Sequence, residues 1–187
     1  WLHSLIQRAA GRQPGDAPLT FGDLWDAPGH PPERVPLPAG ATRKSIDLQM
    51  FSTNLGHGRP YIFPLAEPSE QGSRFRSRDR LFFSRTELAR YLPPGVLDWM
   101  VRHGRPWQPE PGREARDPTA ADAQALGLLE LPHPRYFPVI LAARMSLSFP
   151  LLFAALPLWA IDHDQVGRAP FRRCWFSDGG ISSNFPM

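Results

Sequence analysis

Between Lys44 and Leu65 the chain alternates with a period of two: Ile46, Leu48 and Met50 interleave with Asp47, Gln49 and Phe51. That period predicts a strand. Gly56-His57-Gly58 predicts a turn after it, and Tyr61-Ile62-Phe63 a returning second strand. Upstream, "PLTFGDLW" predicts a turn into a short helix with Thr20 as its N-cap. Ser84 to Glu87 has capping-box spacing ahead of "LARYL", which Pro93-Pro94 stops. Pro94 fits the first position of the next helix, where Val96, Leu97, Met100 and Val101 make an apolar face and Gly104 fits the C-terminal cap. Pro138 opens another helix, "PVILAARMSLS", which Pro150 ends. "LLFAALPLWAI" follows, then a loop "DHDQVGRAPFRR" and a short buried strand "CWF". Strands with helices between them predict an α/β layered fold. The expected organisation is a helix and strand pair over 1–63, a loop-rich helical insertion over 64–137, and a helix, apolar segment and strand over 138–187.

Composition sharpens this. The 187 residues include 23 prolines, more than twice the usual share of roughly 5%, so long connections are expected. "RPWQPEPGREARDPTAADAQALG" reads as a polar surface loop. The net charge of +3 is too small to imply nucleic acid. Lys44 is the only lysine, a bias that genome composition explains without a ligand. Arg74, Arg76, Arg78 and Arg80 would share one face if extended. A basic strip for anionic lipid or RNA is one reading, and a solvated loop is the favoured one. The single cysteine, Cys174, excludes an internal disulfide and reads as a core residue. No signal peptide is evident, and the absence of an initial Met places the true start elsewhere. Met145 to Ile161 is short for a membrane span and broken by Pro150 and Pro157, so it reads as core or pocket wall. A cytoplasmic or membrane-peripheral setting is the expectation.

The chemistry is concentrated in "RCWFSDGGISSNFPM". An apolar strand ends in Asp178-Gly179-Gly180. In open α/β sheets ligands bind beyond the carboxyl ends of strands, so a carboxylate there is in the right place for acid–base work. Partial desolvation would make it a stronger base. Glycines allow unusual backbone angles and close approach of another segment. Taken alone, such a triplet is usually a simple turn.

The wider context resembles the C-terminal catalytic block of patatin-like phospholipases. The residues that carry the likeness are a small-residue helix with an A-x-x-S-x-x-P-like stretch, here Ala143 to Pro150, then D-G-[GA] at Asp178-Gly179-Gly180, then N-x-P at Asn184-Phe185-Pro186. Thr53, Asn54, Leu55, Gly58 and Arg59 also match that family's T-[DN]-L-x-x-G-[RK] continuation of a strand. The resemblance is specific at 46–63 and 139–187 and loose between. It implies a three-layer α/β/α patatin-like fold, seen here in part, and a serine lipid acyl hydrolase using a Ser–Asp dyad without histidine. Asp178 would be the general base. Gly179 and Gly180 would hold its turn, with Asn184 in support. Ser146 and Phe149 would flank the substrate. The implied partner is a lipid or other acyl ester, with peripheral membrane contact and with no cofactor, metal or nucleic acid.

The chain departs from that pattern in two respects. It contains no G-x-S-x-G: Ser177 has Trp175 two residues behind it, and Ser182 has Asn184 two ahead. The glycine-rich oxyanion loop is missing too. The expectation is therefore a C-terminal portion of a catalytic domain that is inactive by itself. The alternative is a non-catalytic lipid- or protein-binding module. Ser146 and Ser148 are expected to bond back to carbonyls one turn earlier rather than act as nucleophiles. Asp162-His163-Asp164 is expected to be a solvated loop rather than a metal site.

Overall fold

The computed structural model describes residues 1–28, 44–65, 80–109, 112–149, 153–163 and 167–180. The elements run α1 (Leu2–Ala9), α2 (Phe21–Trp25), β1 (Met50–Asn54), β2 (Arg59–Phe63), β3 (Phe82–Ser84), α3 (Arg85–Leu88), α4 (Pro94–His103), β4 (Arg105–Pro106), α5 (Ala120–Ala125), β5 (Leu128–Glu130), a 3-10 turn (Pro134–Tyr136), α6 (Val139–Ser146), β6 (Leu156–Ile161) and β7 (Phe171–Asp178). Among the described residues the strands form one seven-stranded sheet in the order β2-β1-β7-β6-β3-β5-β4. Every pairing in it is antiparallel. The fold is thus mixed α/β. The segment 64–137 belongs to this sheet, because it supplies β3, β4 and β5.

Alternation along the strands sorts the apolar side chains onto two faces. Phe83, Leu158, Ala160, Cys174 and Phe176 enter the larger core with Leu141 and Met145 of α6 and Val96, Leu97 and Met100 of α4. Their neighbours Phe82, Trp159, Ile161 and Phe171 turn the other way and meet Trp107, Ala123 and Leu128. Trp107, within a stretch the sequence reads as a polar loop, is therefore buried, and it anchors that loop by donating from Nε1 to the Pro118 carbonyl at 3.0 Å. Tyr61 and Phe63 of β2 pack edge-on against Phe176, with centroids 5.2 and 5.8 Å away.

The first strand begins at Met50, and Ile46 is exposed. Thr20 caps α2 as expected: its hydroxyl accepts from the Asp23 N–H at 3.2 Å, while the Asp23 carboxylate accepts from the Thr20 N–H at 2.8 Å. Residues 19–21 are also tied to the start of α6, through Phe21 N–H to Phe137 O and Val139 N–H to Leu19 O. The capping box expected at Ser84 does not form. Glu87 instead accepts from Trp159 Nε1 at 2.8 Å and pairs with Arg173, so a cross-sheet contact takes the side chain. Pro94 opens α4 as expected, and Val101 is exposed rather than part of its apolar face. Gly104 does cap α4, but its φ is −70°. A Cβ there would lie 2.9 Å from the Met100 carbonyl oxygen, so close packing selects glycine rather than a left-handed backbone. The strand around Cys174 is eight residues long, Phe171–Asp178, and its Arg172, Arg173 and Trp175 are exposed.

The first turn of α2 has an acid-sensitive cap. Burial pushes the Asp23 carboxyl up, but hydrogen bonds from Thr20 and the Arg12 guanidinium outweigh it and hold the group below its ordinary 3.8. A depressed carboxyl stabilises the fold above its unfolded value and loses that contribution as pH falls through the folded value. Thr20→Ala should cost about 1 kcal/mol at neutral pH in urea unfolding. Asp23→Asn should also destabilise at neutral pH, and its deficit relative to the parent protein should shrink as the pH falls below 3.8.

Candidate active site

Strand β7 outruns its neighbour. β6 pairs with it from Phe171 to Phe176, and β1 pairs on the other side from Phe176 to Asp178. Ser177 and Asp178 therefore extend past β6. The residue after α6's last turn takes over there: the Ser148 carbonyl accepts from the Asp178 N–H at 3.2 Å and from the Ser177 hydroxyl at 2.6 Å. The Ser52 hydroxyl donates to the Ser177 carbonyl at 2.7 Å. The Ser148 hydroxyl bonds back to Arg144 O at 2.5 Å, the helical serine behaviour expected from sequence. Ser52, Ser148 and Ser177 are all buried and serve as short donors to backbone carbonyls. Their hydroxyls join α6 to the end of β7, and each satisfies a polar group that would be costly to bury unpaired.

Asp178 is half-buried at this junction. Its Oδ1 accepts from the Gly180 N–H at 2.6 Å, a two-residue Asx turn that aims the carboxylate. The register puts Ser52 opposite Asp178 and Asn54 opposite Phe176. Ser52, Asn54, Phe176 and Asp178 thus share the sheet face that carries the larger core and α6. Nothing in the sequence marks Ser52 as a neighbour of Asp178. The antiparallel register that joins residues 126 positions apart has no local signal. Ser52 is fully buried with its proton committed to Ser177 O, so it is not an available nucleophile.

Gly179 is required by close approach. A Cβ there would lie 2.7 Å from both Cβ and the carbonyl oxygen of Phe51. Gly180 is half-buried and supplies the N–H that holds Asp178. Ser146 is half-buried on the last turn of α6, and Phe149 is exposed two residues past the end of that helix's C-cap, Leu147. Phe149 directly follows Ser148, whose carbonyl holds the Asp178 N–H. Asp178, Gly179 and Gly180 thus lie where the residues following α6 meet the end of β7, with Ser146 two residues before Ser148 and Phe149 one after it. Asn184 lies outside the described residues. Arg144 closes the other side of the junction, donating to Ser148 Oγ at 3.3 Å and Ala154 O at 3.4 Å and stacking over Phe153 at 4.8 Å. Burial lowers its pKa from the ordinary arginine value.

Two other sequence candidates resolve differently. Asp162 is buried and ion-paired to Arg172 at 3.1 Å, whereas His163 is exposed, 4.0 Å from the buried Asp117, so the solvated position expected from sequence holds for His163 and not for Asp162. Asp164 lies outside the described residues. Among the described residues no group of three His, Cys, Asp or Glu side chains could hold a metal ion. Of the arginine strip, Arg74, Arg76 and Arg78 lie outside the described residues. Arg80 is engaged: it pairs with Glu130 at 2.6 Å, donates to Gln108 O at 2.7 Å and stacks over Trp107 at 4.5 Å. Among the described residues no helix is long and apolar enough to cross a membrane. Within Met145 to Ile161, Met145 and Ser146 end α6 and Leu156–Ile161 form β6.

The whole chain aligns with a protein of Rhizobium meliloti (strain 1021) named "RpoH suppressor", at 33% identity over 226 residues. The chain spans 31% of that relative's length. No protein-family profile matches the chain. No solved structure matches it.

The close contact at Gly179 can be tested. Gly179→Ala should force β1 away from the strand end and destabilise the protein by about 1–3 kcal/mol. The shift should appear as a lower urea midpoint. An unchanged midpoint would show that β1 yields freely there.

Proposed function

We propose that this chain is part of a patatin-like serine lipid acyl hydrolase, with Asp178 as the general base of a Ser–Asp dyad. The carrying observation is the placement of Asp178. It ends a central strand, is half-buried, is aimed by the Gly180 N–H, and stands beside the C-terminal turn of α6. A carboxylate held rigidly at a strand end can accept a proton from an alcohol brought within hydrogen-bond reach. The alcohol attacks the ester carbonyl, and the leaving alcohol takes up the proton as an acyl-enzyme forms. Water then repeats the sequence to release the acid.

In this reading the nucleophilic serine and the oxyanion donors come from residues preceding Trp1, and the full domain has the three-layer α/β/α arrangement. Helices on one face of the sheet and Trp107 with α5 on part of the other support that layering. Gly179, by letting β1 approach, fixes the height at which Asp178 emerges. Ser146 and Phe149 line the approach, and the exposed Phe149 offers an apolar surface to an acyl chain. Substrates are esters of phospholipid or other lipids, met in the cytoplasm or at a membrane surface. The rival reading is a non-catalytic module that grips lipid or protein through the arginine strip. It is weakened by Arg80, which is committed to Glu130 and Trp107.

Asp178→Asn in the full-length polypeptide preserves size and the acceptor for Gly180. It should lower turnover of a p-nitrophenyl ester by about 10²–10⁴-fold. The thermal midpoint should stay close to that of the parent. Ester turnover at the parent rate in that variant would refute the assignment.

A further inference from the structure

Arg144 differs from the arginines on and beside the sheet. Arg80, Arg172 and Arg173 each stand against a carboxylate, of Glu130, Asp162 and Glu87 respectively. Arg144 is half-buried on the last turn of α6, and among the described residues no carboxylate meets it. Its guanidinium donates to two neutral acceptors, Ser148 Oγ at 3.3 Å and Ala154 O at 3.4 Å. Both are long for charge-assisted hydrogen bonds, which run about 2.7–2.9 Å. These two bonds leave N–H donors of the planar fork unused. The negative end of the α6 dipole offsets part of the charge. Burial nevertheless lowers the Arg144 pKa, as it does for a cation short of a counter-charge.

The apolar surroundings of this cation are open to solvent. The guanidinium lies over the Phe153 ring, 4.8 Å from its centroid. The Phe153 N–H donates to Phe149 O at 3.1 Å, and the Phe149 N–H to Leu147 O at 2.7 Å. These bonds bring Leu147, Phe149 and Phe153 together just past α6, and all three side chains are exposed. A cation without a carboxylate, beside exposed apolar side chains, complements a ligand with an anionic oxygen group joined to an alkyl chain. We propose that Arg144, Phe153, Phe149 and Leu147 form a site for such an anionic amphiphile. The guanidinium receives carboxylate or phosphate oxygens as a bidentate fork. Phe153, Phe149 and Leu147 receive the adjoining methylenes, which removes apolar surface from water on both sides. Arg144 selects for charge. The site needs no reaction at Asp178, so it stands apart from the acyl-hydrolase reading. Fatty carboxylates and alkyl phosphates share this chemistry, and measurement separates them.

The test is calorimetric titration of the full-length polypeptide with decanoate and with decyl phosphate, both below their micelle concentrations. Decyl maltoside supplies the same chain with an uncharged head. Acetate and inorganic phosphate supply the anion without the chain. At least one anionic amphiphile should bind, and the tighter of the two identifies the headgroup. Arg144→Gln should weaken that binding by roughly 10–100-fold, through loss of charge-assisted hydrogen bonds, and leave decyl maltoside unaffected. Arg102→Gln, at an exposed position on α4, should bind as the parent does. Phe149→Ala, also at an exposed position, should weaken binding about 5-fold. That variant decides the matter if Arg144→Gln fails to fold. Four results would overturn the proposal: no binding of either amphiphile, equal affinity for decyl maltoside, equal affinity for the chainless anions, or parental affinity in folded Arg144→Gln or Phe149→Ala. A loss in Arg102→Gln as large as in Arg144→Gln would overturn it too, because the attraction would then belong to basic surface in general. Binding is read without turnover, so the result is independent of ester hydrolysis in Asp178→Asn.

Discussion

Everything at the candidate site depends on one carbonyl oxygen. Ser148 O receives the Asp178 N–H and the Ser177 hydroxyl where β7 has run past β6. Without it the last two residues of β7 would have backbone and side-chain donors facing an unoccupied strand position, a costly arrangement in a buried setting. With it, the loop leaving α6 acts as a short substitute strand. Its position is set in turn by the Ser148 hydroxyl on Arg144 O and by the Arg144 contacts with Ala154 and Phe153. The carboxylate is thus located by a helix end, a strand end and a neighbouring strand, each constrained by the larger core.

That construction explains why small residues gather here. Ser52, Ser148 and Ser177 are short enough to reach carbonyls without opening the packing, and Gly179 lets β1 come within contact of the turn. The serines carry the joint, so under the proposed reading the nucleophile comes from another part of the polypeptide. The structural use of these hydroxyls and the proposed hydrolytic chemistry are therefore compatible.

Much of the local structure was legible in sequence because its causes are local. Thr20 as an N-cap, Pro94 at a helix start, and the glycine turn between β1 and β2 each act within a few residues. What escaped has non-local causes. Glu87 has capping-box spacing but is drawn to Trp159 and Arg173 across the sheet. Trp107 lies in a proline-rich polar stretch yet closes the smaller core, and β3 to β5 join a sheet whose other strands lie before and after them. Asp178 stood out by its apolar run and two glycines, whereas Ser52 opposite it could be found only from the register.

The central claim is that Asp178 serves an alcohol contributed by an earlier part of the polypeptide. The most direct measurement is labelling of the full-length protein with a fluorophosphonate, followed by peptide mapping. The account predicts one modified serine, located before Trp1, and loss of that label when Asp178 is replaced by Asn. No labelling, or a label on Ser146 or another serine within these 187 residues, would contradict it.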